Sequence, residues 1–177
     1  KATGGRMLVL FTSYAQLKRT SQNITGPLVE DDILVYEQGE GASANTLLET
    51  FRESEKAVLL GTRAFWEGVD IPGEALSVLV IVKLPFDVPS DPIIAARSDT
   101  FEDPFNEYQL PEAILRFRQG FGRLIRTLSD RGVVVVLDKR ILSKRYGRSF
   151  LESLPQCTVH IGSVRDLPGL ATRWLNI

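Results

Sequence analysis

Gly132 to Leu137 reads Gly-Val-Val-Val-Val-Leu, a β-branched run that leaves neither face of a strand polar. A strand with one wet face alternates apolar and polar residues, whereas a strand covered on both faces has no need to. The run therefore predicts a strand buried on both faces of a parallel sheet, with helices above and below. The rest of the chain fits that architecture. Met7 to Phe11, Asp32 to Tyr36, Ala57 to Leu60 and Val78 to Leu84 are further strand-like runs, and Thr158 to Ile161 is expected to be the last. Helical patterns alternate with them: Tyr14 to about Ile24 behind a Ser13 cap, and Ser43 to Glu53 through Leu47, Leu48 and Phe51. Ser90 is expected to cap a helix at Asp91-Pro92, and Pro111 begins a long helix. A shorter helical stretch covers Tyr146 to Leu154, and Ser163 with Asp166 starts a C-terminal helix that ends near Trp174.

Strands alternating with helices imply a doubly wound α/β domain. With no repeat, low-complexity segment or linker, residues 1–177 read as one domain. Ligands of such sheets sit at the carboxyl ends of the strands. That rule selects Thr12-Ser13-Tyr14, the irregular stretch Gly61 to Gly73, Pro85 to Pro92 and Asp138 to Lys144.

The net charge of −1 hides a polarity. Residues 1–115 hold nine Lys/Arg against eighteen Asp/Glu, and residues 116–177 hold twelve against four. A basic C-terminal third suits either a polyanion or a merely solvated surface. No apolar run could span a bilayer, and the chain opens on KATGGR without a signal sequence or an initiator Met. That opening reads as a fragment or processed chain, with no membrane partner expected. The single Cys157 fits a reducing compartment, so a cytoplasmic location is expected. Cys157 and His160 lack a second Cys/His pair, so no metal is expected on this chain.

The stretch QGFGRLIR, Gln119 to Arg126, carries the chemistry. At about 100° per residue, Gln119, Arg123 and Arg126 fall at roughly 0°, 40° and −20° of one helical stripe, and Asp130 joins them at roughly 20°. Ile114, Phe117, Phe121, Leu124, Ile125 and Leu128 fall on the opposite, core-facing side. Guanidiniums in a fixed fork beside an amide are suited to a phosphate. A surface helix with an i, i+4 ion pair is the plainer reading of the same residues. Gly120 and Gly122 cost the helix about 1 kcal/mol each relative to alanine, which a close approach by another backbone would explain, as would slack packing.

Taken together, these motifs resemble those of a helicase family. QGFGRLIR followed by Asp130 resembles motif VI of superfamily 2 helicases, in the form found in the DinG/XPD branch. GTRAFWEGVDIPG, residues 61–73, resembles motif V of that branch, and LFTSYAQL, residues 10–17, its motif IV. KLPFDVPSDPIIAARS, residues 83–98, is similar to the bacterial DinG type. The likeness runs in order from about Met7 to about Leu154.

The resemblance implies a RecA-like, three-layer domain of the P-loop NTPase type with a mostly parallel central sheet. It implies the second, C-terminal motor domain of an ATP-dependent DNA helicase, working 5′ to 3′. The chain contains no Gly-Lys pair and no Asp-Glu pair, so it lacks its own phosphate loop and acidic magnesium box. ATP and Mg²⁺ would then be held mainly by a separate N-terminal helicase domain, the implied protein partner. One cysteine cannot ligate an iron–sulfur cluster here.

By the same resemblance, Arg126 and Arg123 are catalytic candidates that reach across the cleft to the nucleotide. Gln119 would orient water or a phosphate oxygen, and Asp130 would steady Arg126. Asp70, Gly68 and Glu67 are the candidates on the nucleotide side of motif V. Thr12, Ser13, Thr62 and Arg63 are the candidates for the single-stranded DNA track, where a hydroxyl, free amides and a cation hold phosphate. Lys139, Arg140, Lys144 and Arg145 either extend that track or face solvent. Trp66 stacks on a base or plugs the core. The rival reading is a non-enzymatic nucleic-acid- or protein-binding module derived from a helicase domain.

Overall fold

In the computed structural model, residues 1–39, 41, 43–67, 76–122, 124 and 131–177 are described, Glu67 in its backbone only. β1 (Met7–Leu10) leads into α1 (Tyr14–Val29), followed by β2 (Leu34–Glu37), α2 (Ala44–Glu53) and β3 (Ala57–Gly61). A short α3 (Arg63–Glu67) comes next, then β4 (Val78–Ile81) and α4 (Pro92–Ser98). A π-helical turn (Phe105–Gln109) runs into α5 (Leu110–Phe121), and β5 (Val133–Val136), α6 (Arg140–Ser143), α7 (Gly147–Glu152) and α8 (Leu167–Leu175) complete the order.

The strands form one five-stranded sheet in the order β2-β3-β1-β4-β5. Every pairing is parallel. The period of two along β1 sends Leu8 and Leu10 to one face and Val9 and Phe11 to the other. On the first face Leu8, Leu10, Leu59, Phe65, Trp66, Phe117 and Phe150 form the larger core, beneath α2, α3, α5 and α7. On the second, Val9, Phe11, Leu17, Val58 and Leu60 pack with Ile24 and Leu28 of α1 and with Leu175 of α8. Helix, sheet and helix make the three layers expected of a RecA-like domain.

Several expectations need correction. The valine run is half-buried, not buried throughout, because among the described residues β5 is the edge strand and pairs with β4 alone. Both its faces are nevertheless packed: Val134 and Val136 lie on one core, Val133 and Val135 on the other. Covered faces account for the run, and the open edge accounts for the exposure. The strand expected at Thr158 to Ile161 does not form, and these residues are exposed and irregular. Asp91, not Ser90, caps α4, its Oδ1 accepting from the Ile93 and Ile94 amides. α1 runs past Ile24 to Val29 and holds Pro27 within it. The stretch expected as a loop after β3 begins as helix α3.

Candidate functional site

The carboxyl ends of β2, β3, β1, β4 and β5 lie side by side, and each releases a segment onto the same edge. The register Leu10↔Gly61 sets the residues that follow β1 beside those that follow β3. Phe11 and Thr62 are thereby the first residues past the paired strands, and Thr12, Ser13 and Arg63 leave the sheet at the same edge. Ser13 is the N-cap of α1, its hydroxyl accepting from the Gln16 amide at 3.5 Å, and this capping fixes the turn that presents Thr12.

Trp66 joins three parts of this edge. It is 2% exposed, so it plugs the core. Its Nε1–H donates to the Phe11 carbonyl at 3.4 Å. A Cβ built on Gly120 would stand 3.0 Å from the Trp66 ring. The indole, released from β3, therefore touches the end of β1 and lies on α5 where that helix has no side chain. The close approach suspected for Gly120 is made by a side chain, not by backbone. Among the described residues Gly122 has no such side-chain neighbour; it is exposed and ends α5, its amide bonded to the Arg118 carbonyl at 2.9 Å.

Thr62 departs from expectation. Its amide donates to Gln38 Oε1 at 2.7 Å and its hydroxyl donates to the same atom at 2.8 Å. The amide expected to be free for a phosphate is thus occupied. Gln38 stands at the end of β2, where its own amide bonds the Leu60 carbonyl. Arg63 is exposed, and its Nη1 lies 3.8 Å from Asp87 Oδ1. The same Asp87 oxygen accepts from Arg116 Nη1 of α5 at 2.7 Å. Arg116 also reaches the Pro85 carbonyl at 3.4 Å and Glu112 at 3.6 Å. One carboxylate in the segment after β4 thereby links the segment after β3 to α5.

The β5 end is held more tightly. Asp138 is 9% exposed and takes both Nε and Nη2 of Arg140, the latter at 2.6 Å. Its Oδ2 also accepts the Leu84 amide at 3.0 Å, tying the end of β5 to the segment after β4. Burial by itself would raise the Asp138 pKa, but the Arg140 guanidinium and the Leu84 and Arg140 amides bring it down to about 2. Arg140 lies 5.4 Å over the Phe86 ring. Phe86 in turn contacts Phe105, Tyr146 and Phe150.

The expected site residues divide as follows. Thr12, Ser13, Thr62 and Arg63 share one edge. Gln119 is exposed on the last turn of α5, next to the Gly120–Trp66 contact. Arg123, Arg126, Asp130, Gly68 and Asp70 lie outside the described residues, and Glu67 is described only as the last residue of α3. The described part of α5 ends at Phe121, and the rest of the expected stripe, Arg123, Arg126 and Asp130, lies outside the described residues. Arg140 is engaged with Asp138, whereas Lys139, Lys144 and Arg145 are exposed. Sequence reasoning missed Gln38, Asp87, Arg116 and Asp138. The rule of strand carboxyl ends reaches all of these but Arg116, had it been applied after β2 and within the chosen segments as well. Among the described residues no cluster of His, Cys, Asp and Glu could hold a metal ion, and no helix is long and apolar enough to cross a membrane.

The chain is a RecA-like, three-layer parallel domain without a phosphate loop, and the described parts of its helicase-like motifs IV and V leave the sheet at one edge. Residues 1–157 match the family described as the helicase C-terminal domain, and the chain belongs to that family. It is 44% identical over 159 residues to the protein named 3'-5' exonuclease DinG of Bacillus subtilis, covering 87% of this chain and 17% of that one. To the protein named ATP-dependent DNA helicase YoaA of Haemophilus influenzae it is 42% identical over 159 residues, 88% of this chain and 24% of that one. The chain thus spans less than a quarter of the length of either relative. A solved structure of S. tokodaii Xpd4 shares the fold, with a TM-score of 0.54 at 19% identity over 86% of this chain and 30% of that one.

Proposed function

We propose that residues 1–177 are the second motor domain of a DinG-type ATP-dependent DNA helicase that moves 5′ to 3′ on single-stranded DNA. ATP and Mg²⁺ would bind mainly on a partner domain preceding this one. Arg123 and Arg126 would face the nucleotide from this side, with Gln119 placing water or a phosphate oxygen. Asp70, Gly68 and Glu67 would border the same nucleotide. Charge that spreads over the transferred phosphoryl oxygens is stabilised by a guanidinium, an effect worth roughly 10³ to 10⁵ in rate. Thr12, Ser13, Thr62 and Arg63 would follow the DNA backbone, and Lys139, Lys144 and Arg145 would extend that path.

The observation that carries this reading is the Trp66 contact. It packs the motif V segment against the end of β1 and against α5 beside Gln119. A movement of the nucleotide-facing helix would therefore be felt at the DNA-facing loops, as a motor that converts cleft closure into stepping requires.

Turnover measurements test the reading. The 177-residue chain alone is expected to hydrolyse no ATP. In the intact protein Arg126→Ala is expected to lower turnover at least about 10³-fold while nucleotide affinity falls only modestly. Hydrolysis by the chain alone would refute the shared site. Wild-type turnover in the variant would remove Arg126 from it, and an intact protein that binds DNA without hydrolysing ATP would favour the binding module.

A further inference from the structure

The Gln38–Thr62 contact is unusual in its economy. Two donors of one residue, a backbone N–H and a hydroxyl, converge on a single uncharged oxygen at 2.7 and 2.8 Å. That oxygen comes from a neighbouring strand and lies on the edge where Arg63 is exposed and Thr12 stands alongside. A pair of converging donors with a cation nearby suits an anionic oxygen better than an amide carbonyl. Hydrogen bonds to an ionised acceptor are roughly twice as strong as neutral ones.

We propose that Gln38 Oε1 is a placeholder for a phosphate oxygen of single-stranded nucleic acid: it fills the two-donor cradle of Thr62 in the empty domain and is displaced when a backbone phosphate arrives. This rests on the nucleic-acid reading above and adds a gate to it. In the empty state the placeholder keeps two polar groups at a strand end satisfied. In the bound state the phosphate takes over the Thr62 amide and hydroxyl, with Arg63 contributing its charge. Gln38 then turns to solvent, which its half-buried position at the end of β2 permits. Nucleic acid must displace an internal bond before it binds, so the unaltered chain binds more weakly than the cradle allows.

The sign of one substitution separates a placeholder from an ordinary support. Binding of a fluorescent oligothymidylate to the 177-residue chain is followed by anisotropy over a range of KCl concentrations. Gln38→Ala removes the competitor and is expected to bind roughly 2- to 10-fold tighter, the factor that one modest hydrogen bond is worth. Gln38→Glu keeps the shape but offers the donors a carboxylate, and is expected to bind more weakly. Thr62→Val loses the hydroxyl and is expected to weaken binding and to erase most of the gain in the double variant. Unaltered or weaker binding by a folded Gln38→Ala overturns the placeholder while leaving the nucleic-acid reading in place. Should Gln38→Ala unfold, Gln38→Glu decides, and an affinity equal to that of the unaltered chain overturns the proposal. No salt-dependent binding by the unaltered chain overturns both.

Discussion

On the β2–β3–β1 side of the carboxyl edge, the start of the segment after β3 is held by two neutral hydrogen bonds to Gln38, with an exposed arginine beside it. On the β4–β5 side the segments are held by the buried Asp138 carboxylate, the half-buried Asp87 carboxylate and stacked rings. Gln38 holds Thr62 through an amide oxygen, whereas Asp138 holds Arg140 and Leu84 through a carboxylate held ionised down to about pH 2. A neutral contact is easily exchanged for a charged ligand, while a paired buried charge is costly to disturb. On the proposed reading, the first side is the one that exchanges with a ligand and the second is the frame beside it. Asp87 stands at the seam, since it accepts from buried Arg116 and lies within reach of exposed Arg63.

The heaviest test of that division is to break the frame. Asp138→Ala orphans the Leu84 amide and leaves the Arg140 guanidinium without its carboxylate, and should cost about 2 to 4 kcal/mol in chemical denaturation. The carboxylate also predicts a pH dependence. Its folded pKa of about 2 lies below the ordinary 3.8, so its contribution is complete above about pH 4. That contribution, on the order of 2 kcal/mol, should be lost as the pH falls from about 4 to about 2. Asp138→Asn should lose this segment of the pH–stability curve. An unchanged curve in Asp138→Asn would show that the pair does not hold the frame.

A second test falls between the two sides, at the Trp66–Gly120 contact. Gly120→Val would drive methyl groups into a ring whose position is already fixed by its bond to Phe11 and its burial. A loss of about 1 to 3 kcal/mol is expected, as for other overpacked core sites. Gly122→Ala, on the exposed end of α5, should be neutral or gain up to about 1 kcal/mol from helix propensity. Equal effects at the two glycines would mean that the indole does not set the spacing between α3 and α5.

Most of the fold was legible because periodicity is local: β1, β3 and α2 follow from residue spacing alone. Whether a strand is central or at an edge is not local. Val133 to Val136 has the pattern of a covered strand and is one on both faces, yet its place beside β4 alone leaves it half open. Thr158 to Ile161 carries a strand pattern with no partner to realise it, and pairing is decided by the sheet. The motifs marked segments that the sheet brings together, since Thr12, Ser13, Thr62 and Arg63 follow neighbouring strands at one edge. Their partners were harder to see. Gln38 is a lone glutamine with no periodic signal. Arg140 read as one more cation of a basic segment because nothing in its spacing reveals that Asp138 folds back onto it. Distant pairs such as Asp87 with Arg116 need tertiary structure before they can be named.

The finest test compares the two arginines that meet at Asp87. The Arg116 side chain is 12% exposed and lies 2.7 Å from the carboxylate, whereas that of Arg63 is 65% exposed at 3.8 Å. A screened pair of the Arg63 kind contributes about 0 to 1 kcal/mol to stability, so Arg63→Gln should leave the unfolding midpoint nearly unchanged. If Arg63 meets a DNA phosphate, its loss removes one released counterion. The slope of log K against log salt for oligothymidylate binding should then fall by about 0.7. Arg116→Gln should do the reverse, lowering stability while leaving the slope as it was, because a buried arginine bound to Asp87 and Pro85 has no phosphate to neutralise. A slope that responds to Arg116 and ignores Arg63 would place the nucleic acid on the frame instead of on the exchangeable side, and would invert the division drawn between them.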